Sequence, residues 1–364
     1  MFVAINRKEQ YVLARDAKKN SQFNCPGCHE PVILRVGDIK QQHFAHIVGA
    51  KCQTFSENET AAHLSGKLQL AEQLATHGVV QIEAKLVAIQ QRPDILLTIG
   101  DKQLAIEYQC SPISQKRLAE RNEGYRRQNI DVIWILGETY FERHLSQKTI
   151  LKFMTAHDQV VFYLPTQGHY IHRGHFIKKD FERVHYTEIC DTMPFTVISK
   201  LSRQRPLDVK KQIYKLQNLL LQKRVSQQMI SYFYNQNRLI ILAPLWIHCG
   251  ETFGLIIANW QWRLLAVCLI EKVGIGHKVR LRCIADKLFT YVAGNDRFRW
   301  RQVKKLLDSL QQQGYISLQG DYLCVLSELP WFISLAGKLD KVRKSDKIRY
   351  YILERNATPA VLSS

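Results

Sequence analysis

The chain has 364 residues, of which 46% are hydrophobic and 10% aromatic, enough to bury ordinary cores and to exclude wholesale disorder. At roughly 100–200 residues per domain this length predicts two or three domains. A formal net charge of +19 predicts an acidic partner, either nucleic acid or an anionic surface.

The charge is unevenly spread. Residues 1–200 hold 25 Lys+Arg and 21 Asp+Glu, net +4, and residues 201–364 hold the remaining 26 and 11, net +15. The opening MFVAINRKEQ has no apolar run of the signal-peptide kind. No stretch approaches the roughly 18 apolar residues of a membrane span. Six cysteines (Cys110, Cys190, Cys249, Cys268, Cys283 and Cys324) stand singly, mostly in apolar surroundings. That usage predicts reduced thiols and a cytoplasmic protein.

Residues 1–53 form the first predicted module, a set of short strand-like pieces around a Cys/His cluster. Cys25-Pro-Gly-Cys28 is a knuckle in which Pro and Gly turn two thiols toward one point. His43-Phe-Ala-His46 and Cys52 follow about twenty residues later. Two early and two late soft donors suit a closed tetrahedral zinc site, structural rather than catalytic. The ligand set is Cys25, Cys28, His46 and Cys52, with His43 as the alternate to His46.

Residues 54–165 alternate helix and strand. The pattern predicts a helix over 56–77, strands over 79–88, 94–99 and 103–110, a turn at Gly100-Asp101, a helix over 114–129 and a buried strand over 131–136. This order implies an α/β sandwich with a mixed sheet. Asp94 opens one strand and Glu107 lies on the next, so the hairpin can set the two carboxylates side by side. Period two puts Gln109 on the face of Glu107. Clustered carboxylates make a hard, oxygen-rich site for Mg²⁺, which can activate water for phosphodiester hydrolysis. Glu59, His63 and Lys67 share one helix face at i, i+4 and i+8. Glu59 can complete the metal shell, while His63 and Lys67 can meet the scissile phosphate or shuttle a proton. Glu83 is a further candidate, and Arg121 with Tyr125, again i and i+4, suits a phosphate. A charged Glu107 inside the run 104–110 is expensive unless paired or bound to metal.

Residues 166–206, rich in His, Gly and Pro, read as a connecting region. Residues 207–364 read as a basic, mostly helical domain. One amphipathic stretch runs over 207–233, and helices follow over 280–292 and 298–313. Gly314 ends the last of these, and a hairpin turns at Gly320-Asp321. Helix, helix, hairpin is the order of a winged helix, whose second helix enters the major groove. Arg297, Arg299, Arg301, Lys304 and Lys305 gather around the start of that helix as DNA contacts. Residues 338–349 add six bases against two acids.

In order along the chain, FNCPGC at 23–28, HFAH at 43–46 with Cys52, ENETAAHLSGK at 57–67, QRPDILL at 91–97, AIEYQCSPIS at 105–114, Arg121 with Tyr125, and VIWIL at 132–136 together resemble the competence protein CoiA family, within the restriction-endonuclease-like PD-(D/E)xK nuclease superfamily. The resemblance implies a metal-dependent nuclease fold with Asp94 and Glu107 as ligands of Mg²⁺ or Mn²⁺. It also implies a role in processing incoming DNA for recombination during transformation. One position departs from the superfamily pattern: the Lys expected two residues after the Glu is Gln109. Gln orients water but brings no positive charge, a role that Lys67 could fill from the helix.

The expected partner is DNA, single-stranded or in recombination intermediates, with recombination proteins alongside. Two rival functions use the same residues. A non-catalytic recombination accessory would bind DNA and leave Asp94 and Glu107 dispensable. A zinc-dependent transcription regulator would bind duplex DNA sequence-specifically and leave the carboxylates idle.

Overall fold

A computed structural model describes residues 1–8, 11–25, 28–37, 42–47, 61–199 and 206–344. Cys52 and Glu59 lie outside them. The chain divides into two units: Met1–His175 with Thr187–Leu201, and Phe176–Tyr186 with Ser202–Ser364.

The first unit carries two sheets. β1 (Val3–Asn6), β2 (Tyr11–Leu13), β3 (Phe23–Asn24), β4 (Pro31–Arg35) and β5 (His43–His46) form a five-stranded sheet in the order β2-β1-β3-β4-β5. Its core holds Phe2, Ala14, Phe23, Val32 and Phe44, joined by Leu68 and Ile82 from the elements that follow.

Next come α1 (Ala61–Leu74), β6 (Val79–Ile82), β7 (Ile95–Ile99), β8 (Lys102–Gln109), α2 (Gln115–Arg127), β9 (Asp131–Leu136), α3 (Glu138–Phe141), α4 (Gln147–Phe153), β10 (Val160–Leu164), β11 (His169–Lys178) and β12 (Val184–Asp191). The seven strands order as β12-β11-β10-β9-β8-β7-β6. β6, β7 and β8 are antiparallel, β8–β9 and β9–β10 are parallel, and β10–β11 is antiparallel again. This is the mixed α/β sheet expected from the alternation of elements. α2 is the crossover between parallel β8 and β9. Strand alternation sorts the faces. Ile95, Leu97, Ile106 and Tyr108 pack with Leu70 and Leu74 of α1, while Leu96 and Ala105 pack with Tyr125 of α2.

Two local expectations change. The strand starting at 79 stops at Ile82, because Glu83 adopts a left-handed backbone (φ 56°) that ends the pleat. Residues 166–206 contain β11 and β12, which extend the sheet, so this stretch is more than a connection. Their alternating His, Tyr and Thr hid the strand pattern.

The second unit holds α5 (Val209–Leu221), α6 (Gln227–Tyr234), α7 (Asn259–Val273), β13 (Lys278–Arg280), α8 (Leu281–Phe289), α9 (Asp296–Gln312), β14 (Ile316–Gln319) and β15 (Tyr322–Val325). The stretch expected as one helix over 207–233 is two. Lys223 turns left-handed (φ 54°) and the amides of Lys223 and Arg224 bond back to Leu220 and Leu219, closing α5 before Ser226 opens α6. α7 is largely buried, with Trp260, Trp262, Leu264, Val267 and Ile270 inside. The succession β13, α8, α9, β14, β15 behind α7 is that of a winged helix, with the sheet ordered β13-β15-β14. Gly314 ends α9 as expected (φ 76°). No helix among the described residues is long and apolar enough to cross a membrane.

Candidate functional site

Asp94 stands just before β7, whose register with β8 pairs Ile95 with Ile106 and so sets Asp94 opposite Glu107. Its carboxylate is a hub. Oδ1 lies 2.9 Å from Lys67 Nζ, and Oδ2 lies 3.4 Å from His63 Nε2 and accepts the Tyr108 backbone N–H at 2.9 Å. Lys67 also reaches Glu83 Oε1 at 2.9 Å, and Arg92 meets Glu83 Oε2 at 3.1 Å. Lys67 and Glu83 are 1% exposed at the side chain and Asp94 is 17%, so the cluster opens to solvent on the Asp94 side.

α1 delivers His63 and Lys67 because it lies close on β8. The close approach occurs at Gly66, where a Cβ would overlap the Tyr108 ring. His63 stacks on that ring, with centroids 5.6 Å apart. The left-handed Glu83 is held by Lys67 and Arg92, which offset a strain of about 1 kcal/mol or more.

Glu107 faces α2. Arg121 and Tyr125 both bond its Oε1, the Arg121 Nε at 3.2 Å, and Arg121 also donates to Tyr125 Oη at 3.1 Å and Arg92 O at 3.1 Å. The Ser114 side chain caps the first turn of α2 by accepting from Arg117 N. That fixes the helix start, and with it the i, i+4 pair.

The two carboxylates titrate in opposite directions. Burial works against ionised Asp94, but Lys67 and His63 outweigh it and hold its carboxyl well below the usual range. At Glu107 burial prevails over Arg121 and, with the Asp94 charge close by, moves the carboxyl up. Gln109 is buried on the Glu107 face, but its amide is engaged by Ser111, donating to Ser111 O at 2.7 Å. The structure therefore brings together Asp94, Glu107, His63, Lys67, Arg121, Tyr125 and the further candidate Glu83, adds Arg92, and turns Gln109 aside. Arg92 was missed as a site residue, although it stands two residues before Asp94.

The donors at this site are carboxylate oxygens from adjacent strands, which fit a hard cation such as Mg²⁺ or Mn²⁺ in type. Each carboxylate also has a cation of its own.

The second cluster is Cys25, Cys28 and His46, whose ligand atoms all lie within 4.8 Å of one another, with Cys28 Sγ 3.2 Å from His46 Nε2. Zinc bonds of about 2.3 Å to sulfur and about 2.0–2.1 Å to nitrogen set tetrahedral donors about 3.5–3.8 Å apart, so the group fits. The knuckle is closed by His29 N–H to Cys25 O at 2.9 Å, with His29 left-handed (φ 59°). Of the two histidines, His46 joins the cluster. Burial lowers its pKa and favours the neutral, ligating ring.

On α9, Arg297, Lys304 and Lys305 are exposed and Arg301 is half-buried. Trp300, which sequence reasoning passed over, is 41% exposed on the same helix. Arg299 differs: its guanidinium lies 3.6 Å from the Phe289 ring centroid and bonds Phe289 O at 3.0 Å. It fastens α9 to α8 instead of facing outward with its neighbours.

A mixed sheet with α1 and α2 on its two faces, bearing an ionised aspartate and a buried lysine where two strands meet, defines a nuclease-like domain. Comparison with known families agrees: residues 59–204 match the Competence protein CoiA nuclease-like domain and residues 6–55 match the Competence protein CoiA N-terminal domain. The chain belongs to the CoiA family. A relative, Competence protein CoiA of Bacillus subtilis (strain 168), is 32% identical over 167 residues, 44% of this chain and 45% of that protein. The match thus spans less than half the length of that relative. No solved structure matches the chain.

Proposed function

We propose that the chain is a metal-dependent DNA-processing nuclease of natural competence, acting on incoming DNA, single-stranded or in recombination intermediates, ahead of recombination. The observation that carries this reading is ionised Asp94 bridged to buried Lys67, with Glu107 on the neighbouring strand. In this reading residues 1–53 are a module built on structural Zn²⁺, 54–165 the nuclease, 166–206 a connection that also supplies sheet strands, and 207–364 the DNA grip. Asp94 and Glu107 would hold Mg²⁺ or Mn²⁺, with Glu59 as a third ligand. The ion supplies Lewis acidity, activating water and stabilising the leaving oxygen of the phosphodiester.

The chain's own residues do the rest. Lys67 provides the positive charge that Gln109 lacks, fixed in place by Glu83. His63, at the open side of the cluster, is within reach of a phosphate oxygen or a proton in transit. Arg121 and Tyr125 offer donors to the strand being cut. On α9, Arg297, Arg301 and Lys304 supply sequence-blind attachment to phosphates, with Trp300 beside them.

A second reading has its own support. Asp94 and Glu107 are each already paired with a cation, which suits a domain that binds DNA without cutting it. The discriminating experiment is cleavage of single-stranded, duplex and branched DNA with Mg²⁺ or Mn²⁺, beside Asp94→Ala. Cleavage that requires metal and disappears in the variant is expected. Intact DNA in every reaction, with DNA binding preserved, would establish the non-catalytic accessory instead.

A further inference from the structure

Three cations and three carboxylates meet around Asp94 among the described residues: Lys67, Arg92 and Arg121 against Glu83, Asp94 and Glu107. Counting the neighbouring His63 as neutral, the set is electroneutral, and it is mostly buried. A divalent cation entering alone would add two positive charges to it, in a low-dielectric setting where like charges repel strongly. A phosphodiester entering with it brings one negative charge and halves that excess.

The six groups differ in their freedom to respond. Lys67 is 1% exposed and gripped by two carboxylates. Arg121 is 14% exposed, and it meets Glu107 through a single carboxylate oxygen that it shares with Tyr125. Its planar fork of donors matches a phosphate as well as a carboxylate. Arg92 is 11% exposed, but its partner is Glu83, so Arg121 is the cation whose withdrawal by an incoming strand frees Glu107.

We infer that Arg121 gates the carboxylate site, so that a divalent cation and a phosphodiester enter it together, the phosphate taking Arg121 as Glu107 turns to the metal. This inference rests on the nuclease reading and adds to it an order of assembly. DNA would raise the affinity for metal, and by thermodynamic linkage metal would raise the affinity for DNA by the same factor. A chain that carries no DNA would then hold no armed metal at this site.

The test is Mn²⁺ binding to the zinc-loaded full chain, read from the EPR signal of the free ion. It is made without and with a short single-stranded phosphorothioate oligonucleotide that resists cleavage. Mn²⁺ bound by the oligonucleotide itself is subtracted, and Asp94→Asn identifies the part that belongs to the site. The oligonucleotide is expected to tighten Asp94-dependent Mn²⁺ binding by about tenfold or more. In Arg121→Gln the site should take Mn²⁺ without the oligonucleotide, and the factor should fall toward one. Arg121→Lys, which keeps the charge, should keep the coupling.

Equal Mn²⁺ affinity with and without the oligonucleotide overturns the gate, as does full coupling in Arg121→Gln. If Arg121→Gln does not fold, the reciprocal measurement on the unaltered chain decides: oligonucleotide affinity must rise with Mn²⁺ by the same factor. Metal-dependent cleavage without coupling removes the gate and leaves the nuclease. No Asp94-dependent Mn²⁺ binding in any arm, together with no cleavage, removes both.

Discussion

Lys67 and Arg121 lie buried against carboxylates in the nuclease-like unit, whereas Arg297, Lys304 and Lys305 stand in solvent along α9, with no carboxylate against them among the described residues. The first arrangement immobilises charge. Lys67 can hold one position only because Asp94 and Glu83 fix it from two sides, which is what a transition-state contact requires. The second leaves charge exchangeable: each exposed base carries water and counterions that a phosphate can displace. In the proposed function, a chain with net +4 over its first 200 residues and +15 over the rest would divide grip from chemistry. A basic protein is not uniformly a DNA-binding surface, and its buried cations answer to their own carboxylates first.

The largest effect that can break this contrast is expected from Lys67→Met. Removing one partner of a buried ionic cluster destabilises by about 3–5 kcal/mol, and losing a fixed transition-state cation lowers cleavage by about 100-fold or more. Urea unfolding and the DNA-cleavage assay measure the two effects. The pH dependence gives a finer readout. Asp94, held well below the usual range by Lys67 and His63 against burial, contributes stability that is present above the ordinary carboxylate pKa of about 4 and lost as pH falls through the depressed value. Without Lys67 that loss should begin at higher pH. An unchanged acid limb would mean that Lys67 is not what keeps Asp94 ionised.

A smaller effect comes from the metal cluster, where charge is expected to be neutralised by an ion instead of a side chain. One Zn²⁺ per chain is expected, and Cys28→Ser should lose it and lower the stability of the nuclease-like unit. Metal analysis and thermal melting report both, and a full complement of zinc in Cys28→Ser would take that thiolate out of the site.

How far the sequence revealed this contrast depended on the physics behind each residue. Strands β7, β8 and β9 and the turn at Gly100-Asp101 were legible because apolar period two and a tight glycine turn are local signals. So was the pairing of Asp94 with Glu107, which follows from hairpin register. Lys67 was legible as a site residue from helix spacing, but its bridge to Asp94 was not, and its second anchor, Glu83, depends on a left-handed backbone that no periodicity announces. Arg92 and the engagement of Gln109 with Ser111 were invisible for a related reason, since they depend on where a chain turns after leaving a strand. On α9 the basic cluster was plain. The inward turn of Arg299 was not, because it is set by Phe289 on another helix.

Salt dependence tests the exposed half of the contrast. Replacing Arg297, Lys304 and Lys305 together by Ala should lower the slope of log affinity against log salt by about 2–3, at roughly 0.9 per phosphate contact on duplex DNA. Fluorescence anisotropy at several salt concentrations gives the slope. The same measurement on Arg299→Ala should show a smaller change in slope and a larger loss of thermal stability. A slope that falls as far for Arg299 as for the exposed bases would return it to the interface.

Lys338 supplies a third case, a buried cation with no carboxylate partner described. Its ammonium donates to Ile241 O at 2.7 Å and Ala243 O at 2.6 Å and meets His248 Nε2 at 2.9 Å, in a side chain with no exposure. Burial pushes its pKa down to about 7. Neutral acceptors hold the group in place but do not offset the loss of hydration of a full charge. Between the folded value and the ordinary lysine value of about 10.4 the unfolded chain binds the proton more readily, so stability should rise with pH across that window and level off below it. Against Lys338→Met, which carries no such proton, the unaltered chain should gain about 1 kcal/mol for each pH unit between 7 and 9. Denaturant unfolding of both proteins at several pH values measures the difference. Parallel curves would mean that Lys338 keeps its charge without a carboxylate, and the pairing of Lys67 with Asp94 and Glu83 would then have to be explained by chemistry at the site instead of by the need to neutralise a buried cation.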